Sequence, residues 1–205
     1  MKKSKGTILK IILGLVLLFL YLPIVYTIVF SFNSSKSLSV FKGFSLKWYE
    51  KMFNSGEIMD AIFYTIIVAV LTTVISTVVG TITAIGMSKS KKVIRKSIEQ
   101  INDFPIMNPE IVTAIGLLMF FSAVAIRKGF VTMLLAHIMF CIPYVILSIM
   151  PKLRSLDPNL IDAALDLGAT PIQALTKVVV PQITSGIVAG ALIAFTMSFE
   201  DRKST

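Results

Sequence analysis

Residues Asp157–Pro181, DPNLIDAALDLGATPIQALTKVVVP, form a polar island between long apolar runs, and their reading decides the fold. Asp157 is placed to cap a helix, with Pro158 in the first helical position and Leu156 and Ile161 spaced as a hydrophobic staple. Gly168 suits the stop, because glycine takes the left-handed conformation that ends helices. Thr170, Pro171 and Gln173 repeat the start signal, Thr with Gln three residues later making a capping box. The spacing predicts two short helices joined at a glycine, a shape suited to docking. Pro181 marks the beginning of the next apolar run.

Within this island Ala163 and Ala164 carry almost no side chain, so that a partner surface can approach closely. Asp162 and Asp166, four apart, share a face, and like charges at that spacing repel by a few tenths of a kcal/mol. A partner or solvent must answer them. Spacing alone leaves both readings open, a docking helix and an ordinary solvated loop helix.

Asp162-Ala163-Ala164, then Gly168, then Val178, Val180 and Pro181 resemble the EAA motif (E-A-A-x3-G-x9-I-x-L-P) of ABC importer permeases. The departures are Asp for Glu at 162 and Val for Ile and Leu at 178 and 180. The resemblance implies that Asp162, Ala163, Ala164, Gly168 and Pro181 belong to a coupling helix that docks on a cytoplasmic ATPase and transmits its closure to the membrane spans.

Composition supports a membrane protein independently. The chain has 205 residues, of which 55% are hydrophobic and only 15% charged, with a mean hydropathy of +0.84. Its net charge of +9 comes from lysines and arginines clustered beside apolar runs, a pattern of membrane topology rather than of nucleic-acid binding. Cys141 is the one cysteine, so no intramolecular disulfide is available. The first apolar run is too long for a cleavable signal peptide and lacks a small-residue cleavage site after it.

In chain order, residues 1–10 form a lysine-bearing N-terminus, and spans are predicted at about 11–32, 61–88, 101–125, 129–150 and 183–199. A polar, aromatic-bearing loop separates the first two, and Gly80 and Gly86 favour close helix packing in the second. Asp103, Pro105, Pro109 and Glu110 interrupt the third. Twelve Lys and Arg fall in the N-terminus, the 89–96 cluster and residues 152–177, against six in the 36–51 and 127–128 loops. The positive-inside rule therefore predicts a cytoplasmic N-terminus and a cytoplasmic 157–181 segment.

Further stretches resemble the C-type permeases of spermidine/putrescine importers: Tyr21-Leu22-Pro23-Ile24, Ser31-Phe32-Asn33-Ser34-Ser35, Lys47-Trp48-Tyr49, Pro109-Glu110-Ile111-Val112, His137-Ile138 with Phe140-Cys141, and Gly190-Ala191-Leu192 with Ser198-Phe199-Glu200-Asp201. The resemblance covers nearly all of the chain to Asp201. It implies an all-α integral membrane fold, the MetI-like ABC permease, with about five transmembrane helices here against six in the family. It also implies ATP-binding ABC subunits, a sister B-type permease and an extracytoplasmic polyamine-binding protein as partners, in the bacterial cytoplasmic membrane. Family members continue into a sixth span, whereas Arg202-Lys203-Ser204-Thr205 end this sequence, which reads as a truncation or frame change.

No glycine-rich phosphate loop, nucleophile set or metal-spaced His/Cys cluster is present, so no enzymatic activity, cofactor or metal is expected, and ATP hydrolysis falls to a separate subunit. His137 and Cys141 are one helical turn apart, which fits packing better than metal ligation. Glu110, Glu200 and Asp201 are candidate pathway residues, because carboxylates at membrane depth face a polar interior and a polycation needs negative partners. Glu110 equally suits a helix start, with Asn108 as cap and Pro109 first. Trp48 and Tyr49 fit either contact with a binding protein or an interfacial aromatic belt. The expectation is a permease subunit of an ATP-driven polyamine importer, the alternatives being an importer of another solute and a non-transporting membrane fragment.

Overall fold

A computed structural model describes residues 2–157 and 159–200. Pro158 and Asp201 to Thr205, and with them the expected helix-start proline and one candidate pathway carboxylate, lie outside the described residues. The fold is all-α, in the order α1 (Lys2–Ser31), α2 (Lys47–Phe53), α3 (Gly56–Lys89), α4 (Lys92–Met107), α5 (Glu110–Ala123), α6 (Phe130–Arg154), α7 (Leu160–Asp166), α8 (Pro171–Ala174) and α9 (Val180–Glu200). A π-helical turn, Leu175–Val179, joins the last two. Among the described residues, four helical segments are long and apolar enough to cross a bilayer: Leu9–Ser31, Gly56–Lys89, Phe130–Arg154 and Pro171–Glu200.

The expected third span has a different shape. Its apolar run is divided between α4 and α5, which meet at an angle of 107° and count as a fifth span only if taken together. Pro109 explains the break: it denies α5 an amide donor and holds Asn108 in extended backbone at ψ 147°. The last expected span differs too. Rather than starting near Ile183, it grows out of α8 as one helical stretch from Pro171 to Glu200. Pro181 is carried inside that stretch, where it cannot donate to the carbonyl four residues back. The chain answers with the π turn just before it, in which the Val180 amide bonds to the Leu175 carbonyl five residues earlier.

Two compact units divide the chain, residues 1–62 and 63–205. In the first, Asn33 is fully buried and organises the loop after α1. Its Nδ2 donates to the carbonyls of Ser37 and Val40, both at 2.8 Å, and its Oδ1 accepts from the Lys42 amide at 2.9 Å. The Trp48 indole donates to the Asn33 carbonyl at 2.8 Å, and the Tyr49 hydroxyl lies 2.7 Å from Ser31 Oγ. Both aromatics therefore tie α2 to the end of α1.

In the second unit α6 and α9 pack most closely, around a core in which Val145, Ile149 and Ile183 are fully buried. Small residues set the separation. A Cβ added at Gly186 would lie 3.0 Å from the Ser148 carbonyl oxygen, and one at Gly190 would lie 3.2 Å from Val145 Cα. Gly80 brings α3 against the same Val145, whose Cγ1 would be 2.7 Å from an added Cβ. Gly86 differs from its expected role: nothing lies within 4 Å of a Cβ there.

Candidate functional site: a coupling segment and an acidic pocket

The segment 157–174 folds largely as its local chemistry dictates. Asp157 Oδ1 accepts from the Asn159 amide at 2.9 Å and the Asp157 carbonyl from the Leu160 amide, so the aspartate holds the turn that precedes α7. The N-cap itself is Asn159 rather than the expected Asp157, and it makes no side-chain capping bond. At the other end the Gly168 amide bonds to the Leu165 carbonyl at 2.9 Å and the Ala169 amide to the Ala164 carbonyl at 3.0 Å. These two bonds are the Schellman pair, and they require the left-handed residue that Gly168 supplies at φ +84°. Thr170 Oγ1 then accepts from the Gln173 amide at 3.3 Å while Gln173 Oε1 accepts from the Thr170 amide at 3.0 Å, closing the capping box on α8.

Packing on the rest of the bundle decides which face of each short helix is presented. Ala164 and Ala174 are buried against the chain's own core, whereas Asp162, Ala163 and Asp166 are exposed. The two alanines of the motif thus have different surroundings: Ala164 lets α7 sit close to its own bundle, and Ala163 lies on the open face. Sequence reading overlooked Leu167, 89% exposed, and Ile172, 74% exposed, which flank the glycine turn. Residue type alone does not single them out, because Leu160, Ile161, Leu165 and Leu175 of the same segment are aliphatics of the same size. Pro181 stands apart from this surface, at the π turn described above.

The second feature is a pocket of about 340 Å³ between α5, α6 and α9. Glu110 and Glu200 both line it, together with Ala114, His137, Cys141 and Ser198. Glu110 occupies the first position of α5, but the expected cap shifts by one residue: Pro109 is the N-cap, and Asn108 instead closes α4, its Nδ2 donating to the Phe104 carbonyl at 2.8 Å. The same position brings Glu110 to the pocket. The one histidine is buried, with Nδ1 2.8 Å from Ser198 Oγ. Cys141 Sγ lies 3.5 Å from the Ala194 carbonyl. One turn apart on α6, His137 and Cys141 thus both contact α9. Among the described residues no group of three His, Cys, Asp or Glu side chains is assembled that could hold a metal ion.

Two carboxylates beside a buried imidazole, at the junction of three helices, make a pocket whose chemistry suits a cationic or hydrogen-bond-donating guest. Residues 76–201 match the family described as "Binding-protein-dependent transport system inner membrane component". Among curated relatives, the chain is 35% identical over 183 residues to the "Spermidine/putrescine transport system permease protein PotC" of Haemophilus influenzae, covering 89% of this chain and 71% of the relative. It is 32% identical over 183 residues to the protein of the same name in Escherichia coli K12, covering 89% and 69%. The "Putrescine transport system permease protein PotI" of Escherichia coli K12 is 34% identical over 211 residues, covering 97% and 73%. These matches agree with the helices long enough to span a membrane and with the residues that resemble the EAA motif. The chain is a multi-pass membrane protein belonging to the family of inner membrane components of binding-protein-dependent transport systems.

Proposed function

We propose that this chain is a permease subunit of an ATP-driven importer of polyamines, and that Glu110 and Glu200, with His137 beside them, lie on the route of the cation. The observation that carries the reading is the pocket that joins two carboxylates distant in sequence, in a chain whose relatives are named for spermidine and putrescine. A polyamine presents two or more ammonium groups. At an effective dielectric of about 20, a carboxylate about 4 Å from an ammonium contributes roughly 4 kcal/mol, enough to offset part of the guest's dehydration. Asp201 is a further candidate for the same route.

The coupling reading rests on the exposed face of α7. Asp162 and Ala163 would meet an ATP-binding ABC subunit, with Ala164 and Gly168 holding the helix close to its bundle and Pro181 transmitting the movement at the π turn. Lys and Arg asymmetry supports a cytoplasmic N-terminus and places that surface on the ATPase side. A sister B-type permease and an extracytoplasmic polyamine-binding protein complete the assembly, and the ATPase subunits hydrolyse ATP.

Uptake of labelled spermidine into proteoliposomes holding the assembled transporter tests the reading. Neutralising the pocket with Glu110→Gln and Glu200→Gln together should lower uptake while subunit assembly is kept. Undiminished uptake by that variant would remove the two carboxylates from the route.

A further inference from the structure

A second pocket, of about 400 Å³, lies where α3 and α6 end and α4 begins, beside the 157–179 segment. Its charged lining is Lys89 of α3, Arg95 of α4, Arg154 of α6 and Asp157 at the start of the coupling segment. Its apolar wall includes Leu153, Ile161, Leu175 and Val179, all of which also belong to or pack on the core. Glu99 answers part of the positive charge: Arg154 Nη2 donates to its Oε1 at 2.8 Å. Arg95 is left less satisfied. Its Nε lies 3.9 Å from the same carboxylate oxygen, and its buried N–H has no hydrogen-bond acceptor among the described residues. Lys91, Lys92 and Lys96 stand close by in sequence, all exposed, and add to the positive potential at this end of the bundle.

A guest for this pocket must carry an acceptor for the Arg95 guanidinium and negative charge for Lys89 and Arg154. It must also carry an apolar portion to lie along Leu153, Ile161, Leu175 and Val179. In a protein that crosses a bilayer, a phospholipid with an anionic headgroup satisfies all three demands and is always at hand. We propose that this pocket binds an anionic phospholipid, its phosphate held by Arg95, Lys89 and Arg154 and its acyl chain on the apolar wall. Leu160 and Ile161 of α7 line the same pocket, so the bound lipid braces the coupling segment against the membrane helices.

Native mass spectrometry of the full chain, released from detergent with phosphatidylglycerol or phosphatidylcholine, tests the proposal. Phosphatidylglycerol should be retained about tenfold more than phosphatidylcholine, the scale of one charge-assisted hydrogen bond. Lys89→Gln with Arg154→Gln should abolish the preference, whereas Lys91→Gln with Lys92→Gln, an equal loss of charge outside the pocket, should leave it. Glu99→Gln removes the competing carboxylate and should raise retention, a gain that no loss of folding produces. Equal retention of both lipids, an equal fall in the two charge-matched variants, or lower retention in Glu99→Gln would overturn the proposal. So would inorganic phosphate alone displacing phosphatidylglycerol at millimolar concentration, since the site would then be one for the free ion.

Discussion

His137 Nδ1 and Ser198 Oγ lie 2.8 Å apart in the buried seam between α6 and α9, 61 residues apart in sequence. A polar pair in such a seam holds register, because either partner left alone would be buried without this hydrogen bond. Replacing Ser198 by Ala should therefore destabilise the purified chain by about 1–3 kcal/mol. Thermal unfolding in detergent measures this, and an unchanged midpoint would show that the contact contributes little.

Helix separation makes a sharper test. Gly80→Ala drives a methyl group against Val145, a β-branched residue with little freedom to turn aside, and overpacking of this kind costs about 1–3 kcal/mol. Val145→Ala should partly rescue it in a double-mutant cycle. Gly86→Ala, where the space is open, should be neutral or stabilise by up to about 1 kcal/mol.

Gly168→Ala forces a side chain into the left-handed region at φ +84°, at a cost of about 1–2 kcal/mol, and loosens the Schellman turn that ends α7. In the assembled transporter, ATPase activity should lose part of its coupling to uptake, and the ratio of ATP hydrolysed to spermidine imported should rise. A ratio equal to that of the unmodified complex would separate the turn from coupling.

Asp162→Lys inverts the charge on the exposed face of α7 and should abolish co-purification of the ATP-binding subunits. Asp166→Lys, one turn further along and also exposed, serves as a comparison. Full retention of the ATPase by Asp162→Lys would count against a docking role for this residue.

Asn33→Ala should release the loop that the side chain holds by its bonds to Ser37, Val40 and Lys42. Trp48, the only tryptophan, reports on this directly, because its indole donates to the Asn33 carbonyl. Its fluorescence should become more accessible to iodide; unchanged quenching would show that the loop keeps its conformation without the asparagine.

Much of the segment between Asp157 and Ala174 could be read from residue order because its determinants are local. The Gly168 turn and the Thr170–Gln173 box each depend on atoms a few residues apart, and both are present, whereas Asp157 holds only the turn before α7, whose N-cap is Asn159. The membrane class followed from composition for a similar reason, since bilayer thickness translates directly into the length of an apolar run. The third span was less legible. Pro109 was visible, but a proline announces only that a break is permitted, and the 107° angle depends on how α4 and α5 pack.

Sequence by itself determined the membrane class, the Gly168 turn, the Thr170–Gln173 box, the family and the charge asymmetry. Tertiary structure alone decided that Ala164 turns inward while Ala163 stays exposed, that Gly80 makes a close approach and Gly86 does not, and that Glu110 and Glu200 share a pocket. The physical reason is range. Capping, turn chemistry and hydropathy act over a few residues or are sums along the chain, whereas burial and pocket formation depend on which helix faces meet, a choice made between residues many positions apart.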